Sequence, residues 1–254
     1  MKIDCRMETG LNKQATEDRI LVQNTILAGG DFSASLPRSG VWGIAVADGV
    51  GGNQGGAEAA HMAAEGLCEI RLRDVRGREA LEAAIREIHK QMVERARRDA
   101  RCDRMATTLS GLFHTEEKWF LFHIGNTRVY LFEPPYLQQI TTDHSVAREM
   151  RLAGIPEEEI QRSGKASTIT ACLGNGEISA AAPLLVREIT DFLEAARYVL
   201  LTSDGIHDHL APSVLERLLA SGAPPRELLR QAMEAARQNG STDDLSMACL
   251  TLEA

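Results

Sequence analysis

Sheets covered by helices, an α+β arrangement, is what the pattern of this 254-residue chain predicts. Strand-like runs outnumber helix-like ones. The helices come in pairs that flank blocks of strands instead of alternating with them one by one. A composition of 44% hydrophobic and 25% charged residues supplies a sizeable core and a polar exterior. No low-complexity tract, repeat or Pro/Ser-rich linker divides the chain, so residues 1–254 are expected to form a single domain.

The first strand-like run is Arg19 to Leu27. The second, Val41 to Ala47, ends abruptly in Asp48-Gly49-Val50-Gly51-Gly52-Asn53-Gln54-Gly55-Gly56. Two helices follow. In the second, Leu81, Ile85, Ile88, Met92 and Ala96 recur at steps of three or four and share one face, with Glu and Arg on the other. Thr107 to His114, Lys118 to Ile124 and Thr127 to Phe132 are rich in Phe, Leu, Val and Tyr and separated by short polar turns, which predicts an antiparallel meander. A short helix is expected over Ser145 to Leu152, an irregular polar stretch over Pro156 to Thr168, and strands near Ile178 to Ile189 and Arg197 to Thr202. Helices at Pro212 to Ala220 and Pro225 to Gln238 each open on a proline suited to a first turn. They lead to a last strand, Leu245 to Leu252.

A net charge of −8 argues against a protein whose main work is holding phosphate backbones, so no nucleic-acid partner is expected. No segment has the run of about 18 apolar residues that crosses a membrane. The N-terminal stretch does not read as a signal peptide, and a cytoplasmic protein is expected. The five cysteines are scattered and include no Cys-x-x-Cys, which fits neither a disulfide framework nor a zinc knuckle.

Acidic residues stand at strand ends: Asp48 after Val41–Ala47, Asp204 after Leu-Leu-Thr-Ser, and Asp243-Asp244 before the last strand. Glu17-Asp18 precedes the first. Carboxylates from distant segments, placed by rigid elements, are what a hard divalent cation requires. Taken singly, each reads better as a turn, Asp-Gly being the commonest turn pair. The Gly-rich loop after Asp48 has Gln54 where the dinucleotide fingerprint needs glycine, and no Gly-Lys-Ser/Thr follows it. It remains either a bare backbone that can approach a metal or phosphate, or a flexible turn.

Seven motifs run in one order along the chain: Glu17-Asp18; Ala47-Asp48-Gly49-Val50-Gly51-Gly52; Ala106-Thr107-Thr108-Leu109; Gly125-Asn126-Thr127-Arg128-Val129-Tyr130; Thr142-Asp143-His144-Ser145; Ser203-Asp204-Gly205-Ile206-His207-Asp208; and Gly240-Ser241-Thr242-Asp243-Asp244-Leu245. Together they resemble the metal-dependent PPM, or type 2C, protein serine/threonine phosphatases over nearly the whole chain, as a bacterial-type single-domain member. The resemblance implies a four-layer α-β-β-α sandwich of two antiparallel sheets with two Mn²⁺ or Mg²⁺ ions at one edge. It implies that Asp48 bridges both ions, that the Gly49 carbonyl, Asp204 and Asp243 bind them directly, and that Glu17 reaches one through water with Asp18 as its structural neighbour. Asp48, Asp204 and Asp243 are then the catalytic set, and a hydroxide bridging the ions attacks phosphoserine or phosphothreonine. Phosphorylated proteins, and a Ser/Thr kinase sharing those targets, are the implied partners of a monomer.

Four departures stand out. The family's phosphate-gripping Arg is Lys13, a point charge instead of a bidentate fork. Val50 takes the place of a frequent His, so no histidine is assigned to chemistry. Asn126 replaces an Asp of a third metal site that also uses Asp208 and Asp204, and an amide oxygen holds divalent cations less strongly, so that site is expected to be weak or absent. Asp244 replaces a frequent Asn, and Thr16 and Ala106 replace Asn and Gly, with no mechanism attached. His144 is expected to fix its own turn by side-chain hydrogen bonds. Residues of about 145–170 correspond to the family's variable flap beside the site. The alternatives are a catalytically weak pseudophosphatase that binds phosphoproteins, motivated by Lys13 and Asn126, and a small-molecule phosphatase on the same fold.

Overall fold

The computed structural model describes residues 1–50, 55–72, 75–115, 118–174, 178 and 183–252. Six strands come first: β1 (Lys2–Glu8), β2 (Arg19–Val22), β3 (Thr25–Leu27), β4 (Gly30–Ser35), β5 (Trp42–Ala47) and the short β6 (Gly49–Val50). Helices α1 (Gly56–Leu72) and α2 (Arg78–Arg98) follow. Next are β7 (Ala106–Thr107), β8 (Leu109–Thr115), β9 (Lys118–Ile124), β10 (Arg128–Glu133) and β11 (Tyr136–Gln139), then α3 (Val146–Leu152) and α4 (Glu157–Arg162). The chain continues through β12 (Leu185–Glu188), β13 (Tyr198–Thr202), the single turn α5 (Asp204–His207), α6 (Pro212–Ala220), α7 (Pro225–Gln238) and β14 (Leu245–Thr251).

Two large antiparallel sheets result, ordered β11-β10-β13-β14-β1-β4 and β12-β9-β8-β5-β2-β3, with β6 and β7 paired separately. Side-chain alternation along each strand sorts the core into three layers. Between the sheets lie Ile3, Cys5 and Met7 of β1, Ile44 and Val46 of β5, Val129 and Leu131 of β10, and Ala248 and Leu250 of β14. The opposite faces are also covered. Ala45, Ala47, Phe113 and Phe122 pack under α1 and α2, while Tyr130, Leu200, Met247 and Cys249 pack under α6 and α7. Burial on both faces explains why β5 and β13 read as continuous apolar runs rather than as alternating strands. The layers are therefore helix, sheet, sheet, helix, the expected sandwich. In α2, Leu81, Ile85, Ile88 and Met92 are buried on the side that faces the sheet, as their spacing predicts.

Several elements differ from expectation, each for a local reason. β1 was not anticipated, although Ile3, Cys5 and Met7 alternate with Lys2, Asp4, Arg6 and Glu8. It sits between β14 and β4. Arg19 to Leu27 is two strands, because Gln23 turns the chain with φ +57°. The run from Thr107 breaks at Thr108, whose amide leaves the ladder and donates to the Asp48 carbonyl at 2.9 Å. β4 and β11 are edge strands with largely exposed residues, which leave little apolar signal. The stretch expected to be irregular after Pro156 contains α4. Its first turn is acidic, which suits the positive end of a helix, and it ends in a Glu158–Arg162 pair. The strand expected over Ile178 to Ile189 is confined to Leu185–Glu188 among the described residues. Gly51 and Gly52 of the Gly-rich loop lie outside them.

Candidate functional site

Strand register brings the acids together. Arg19 at the start of β2 pairs with Ala47 at the end of β5, so Asp18 and Asp48 leave neighbouring strands side by side. In the other sheet Thr202, ending β13, pairs with Met247, so Asp204 and Asp243-Asp244 flank that pair. Close backbone crossings lock the loops. A Cβ on Gly49 would lie 2.4 Å from the Gly56 backbone and 2.8 Å from the Glu17 carbonyl oxygen. One on Gly205 would lie 2.1 Å from the Asp244 carbonyl oxygen, so only glycine lets the two acid-bearing segments touch.

The cluster is electrostatically unbalanced. Asp18 is buried, and its Oδ2 has no hydrogen-bond partner. Burial, followed by repulsion from Asp244, Asp204 and Asp243, pushes its carboxyl up to about 7. Asp48 and Asp204 are hemmed in by protein yet open one face to solvent. Both titrate above the usual carboxylate range, through burial first and the neighbouring acids second. Asn126, in the turn between β9 and β10, donates Nδ2–H to Asp204 Oδ2 at 3.0 Å, and its own buried Oδ1 is unpartnered.

Lys13 is the lysine that reaches the acids at this edge. Its Nζ lies 2.8 Å from Asp243 Oδ1, 2.9 Å from Asp244 Oδ2 and 3.4 Å from Glu17 Oε2. Burial pulls its pKa down, but the hydrogen bonds to Asp243 and Asp244 outweigh it and hold the ammonium charged. Asp208 follows α5; its amide donates to the Asp204 carbonyl at 2.9 Å, and its Oδ2 accepts from Ser167 of the flap at 3.1 Å. A groove of about 360 Å³ runs along this contact, lined by Asn126, Arg128, Arg151, Ser167, Asp208 and His209. His144 Nδ1 accepts from the Gly125 amide at 3.1 Å and its own amide donates to the Gly125 carbonyl at 2.8 Å, fixing the turn that carries Asn126.

The donor set suits a hard cation. All donors are oxygens, two of them buried without partners, and the negative charges outnumber the one nearby lysine. No three His, Cys, Asp or Glu among the described residues close into a metal cage of their own. The structure thus gathers Glu17, Asp48, Asp204 and Asp243 with Lys13 at one edge, and Asn126 and Asp208 beside them. Sequence reasoning missed the part played by Asp244. It is 2% exposed and accepts from the Gly10 amide at 2.7 Å and the Glu17 amide at 2.9 Å. Those partners lie more than 200 residues away, so no local pattern signals them; a second acid directly beside Asp243 was the only hint.

The chain belongs to the protein phosphatase 2C family, which it matches over residues 30–248. It is 27% identical over 225 residues to the protein phosphatase PhpP of Streptococcus pneumoniae strain D39, covering 85% of this chain and 87% of that one. The serine/threonine phosphatase Stp1 of Staphylococcus aureus has the same fold, with a TM-score of 0.81 at 22% identity over 99% of this chain and 95% of that one. So does the catalytic domain of the serine threonine protein phosphatase PstP in complex with two manganese ions, with a TM-score of 0.72, 23% identity and 98% of each chain covered.

Proposed function

We propose that this chain is a metal-dependent phosphatase that removes phosphate from phosphoserine and phosphothreonine in proteins, using two Mn²⁺ or Mg²⁺ ions. The convergence of Glu17, Asp18, Asp48, Asp204 and Asp243 on one edge of a phosphatase 2C sandwich carries the reading. The names of PhpP, Stp1 and PstP support it, as does the pair of manganese ions in PstP.

Asp48, the Gly49 carbonyl, Asp204 and Asp243 would hold the ions directly and Glu17 through water, with Asp208 and Asn126 offering a weaker third position. When bound, the ions supply positive charge for the phosphate and a water of lowered pKa. The chain's own residues do the rest. Asp48 and Asp204, which titrate above the usual carboxylate range, must be ionised to act as ligands. Asn126 fixes the Asp204 side chain by its amide. Lys13 meets a phosphate oxygen as a point charge. The strand ends keep these groups in place, which suits a reaction that asks for positioning and charge neutralisation more than for covalent chemistry. Histidine is not needed: His207 is buried against Thr202 Oγ1 at 2.8 Å.

Retention of Glu17, Asp48, Asp204 and Asp243 weighs against a binding-only role. No helix among the described residues is long and apolar enough to cross a membrane, and we place the protein in the cytoplasm, as a monomer acting on the targets of a Ser/Thr kinase. The test is hydrolysis of a phosphothreonine peptide in EDTA, Mg²⁺ or Mn²⁺ by the wild type and Asp204→Ala. Turnover that requires metal and falls about 10²–10³-fold in the variant is expected. Silence from the wild type with Mn²⁺ bound by calorimetry would overturn the reading in favour of a binding module.

A further inference from the structure

A lysine is a poor replacement for an arginine fork, because its single charge rides on a flexible stem and nothing in the side chain fixes its direction. In this chain Lys13 is nevertheless held. Of its partners, Asp243 has a side chain 52% exposed and is one of the proposed metal ligands, so a cation bound there would claim the same oxygens. Glu17 stands at 3.4 Å and is committed to the same site. Asp244 is different. It is buried, and its other two hydrogen bonds come from the amides of Gly10 and Glu17, which bracket Lys13 in the chain.

One carboxylate therefore pins both ends of the loop and the side chain between them. The loop is docked further by the Leu11 amide on the Thr242 carbonyl at 2.9 Å, and by Arg237, which donates to the carbonyls of Thr9 and Asp243 at 2.9 and 2.8 Å. We infer that Asp244 is the positioning residue for Lys13: its buried charge keeps the ammonium at the edge of the acid cluster when Asp243 is engaged elsewhere, so that a lysine grips phosphate from a fixed place. An asparagine at position 244 would have to set its N–H₂ group either against the Gly10 amide or against the Glu17 amide and the Lys13 ammonium, placing donor against donor in both orientations and leaving no carboxylate charge for Lys13. The Lys13–Asp244 pair thus works as one unit, and each departure from the family pattern makes sense of the other.

This inference rests on the phosphatase reading, and its test separates the two. For Lys13→Met, Asp244→Asn and the double variant, KM and kcat for a phosphothreonine peptide are measured at saturating Mn²⁺. Inhibition by inorganic phosphate is measured alongside, and Mn²⁺ affinity is followed by calorimetry. Each single variant is expected to raise KM and the phosphate inhibition constant by about tenfold or more, the usual scale of a charged hydrogen bond. The double variant should be no worse than Lys13→Met alone, and Mn²⁺ affinity in Asp244→Asn should stay within about threefold of wild type. Effects that multiply, or a loss of Mn²⁺ affinity that matches the rise in KM, would overturn the role. Should Asp244→Asn fail to fold, the ¹⁵N signal of the Lys13 ammonium in the wild type decides. A slowly exchanging ammonium with diamagnetic Mg²⁺ bound supports the clamp, and one averaged like a surface lysine refutes it. That signal does not depend on turnover, so an inactive wild type counts against the function and leaves the clamp to be judged separately.

Discussion

Replacing Asp18 by asparagine should make the metal-free protein more stable at high pH, with the gain shrinking as pH falls. The carboxyl is buried, one oxygen is unpartnered, and its pKa rises from 3.8 to about 7 on folding. The native state then binds a proton that the unfolded chain has lost, so between those values stability falls as pH rises and levels off above about 7. Each unit is worth about 1.4 kcal/mol, so ionised Asp18 costs the native protein at most about 4 kcal/mol at pH 8, of which less than half is felt at pH 5. The amide removes that cost but exchanges an acceptor for an N–H₂ group in a buried site, a penalty of up to about 1–3 kcal/mol at any pH. Urea unfolding in EDTA at pH 5 and pH 8 reads both quantities. The difference in stability between Asp18→Asn and wild type should be more favourable at pH 8 by up to about 3 kcal/mol, or several degrees in Tm. An equal effect at both pH values would show that Asp18 carries no folded-state charge penalty and would refute the electrostatic account of the cluster.

Gly205→Ala would drive a Cβ to 2.1 Å from the Asp244 carbonyl oxygen and separate the segments that carry Asp204 and Asp243. It should cost about 1–3 kcal/mol in thermal unfolding and reduce turnover about 10²-fold, and a neutral result would mean the crossing is not constrained. Ile44→Ala, in the middle of the inter-sheet core, should cost about 2–5 kcal/mol by urea midpoint while kcat at saturating Mn²⁺ stays near wild type.

Local chemistry made much of this protein legible before any coordinates. Spacing alone marks the buried face of α2, and apolar runs mark β5 and β13, because hydrophobic periodicity is a property of neighbours along the chain. The motif order singled out Glu17, Asp48, Asp204 and Asp243 as the candidate acids. Short-range signals did not reveal β1, whose alternation is strict but carried partly by Cys5 and Met7, nor the edge strands β4 and β11, whose exposed residues need no apolar pattern.

What only the tertiary structure decided is which groups face one another. Asp18 meets Asp48 because Arg19 registers with Ala47 between β2 and β5, and Asp204 meets Asp243 because Thr202 registers with Met247 between β13 and β14. Asp244 binds Gly10, Lys13 and Glu17 across more than 200 residues of chain. The sequence by itself determined the type of donor and its local element. Strand pairing across both sheets determined the partners, because the energy of a buried charge depends on what surrounds it, and that is settled only when distant strands come into register.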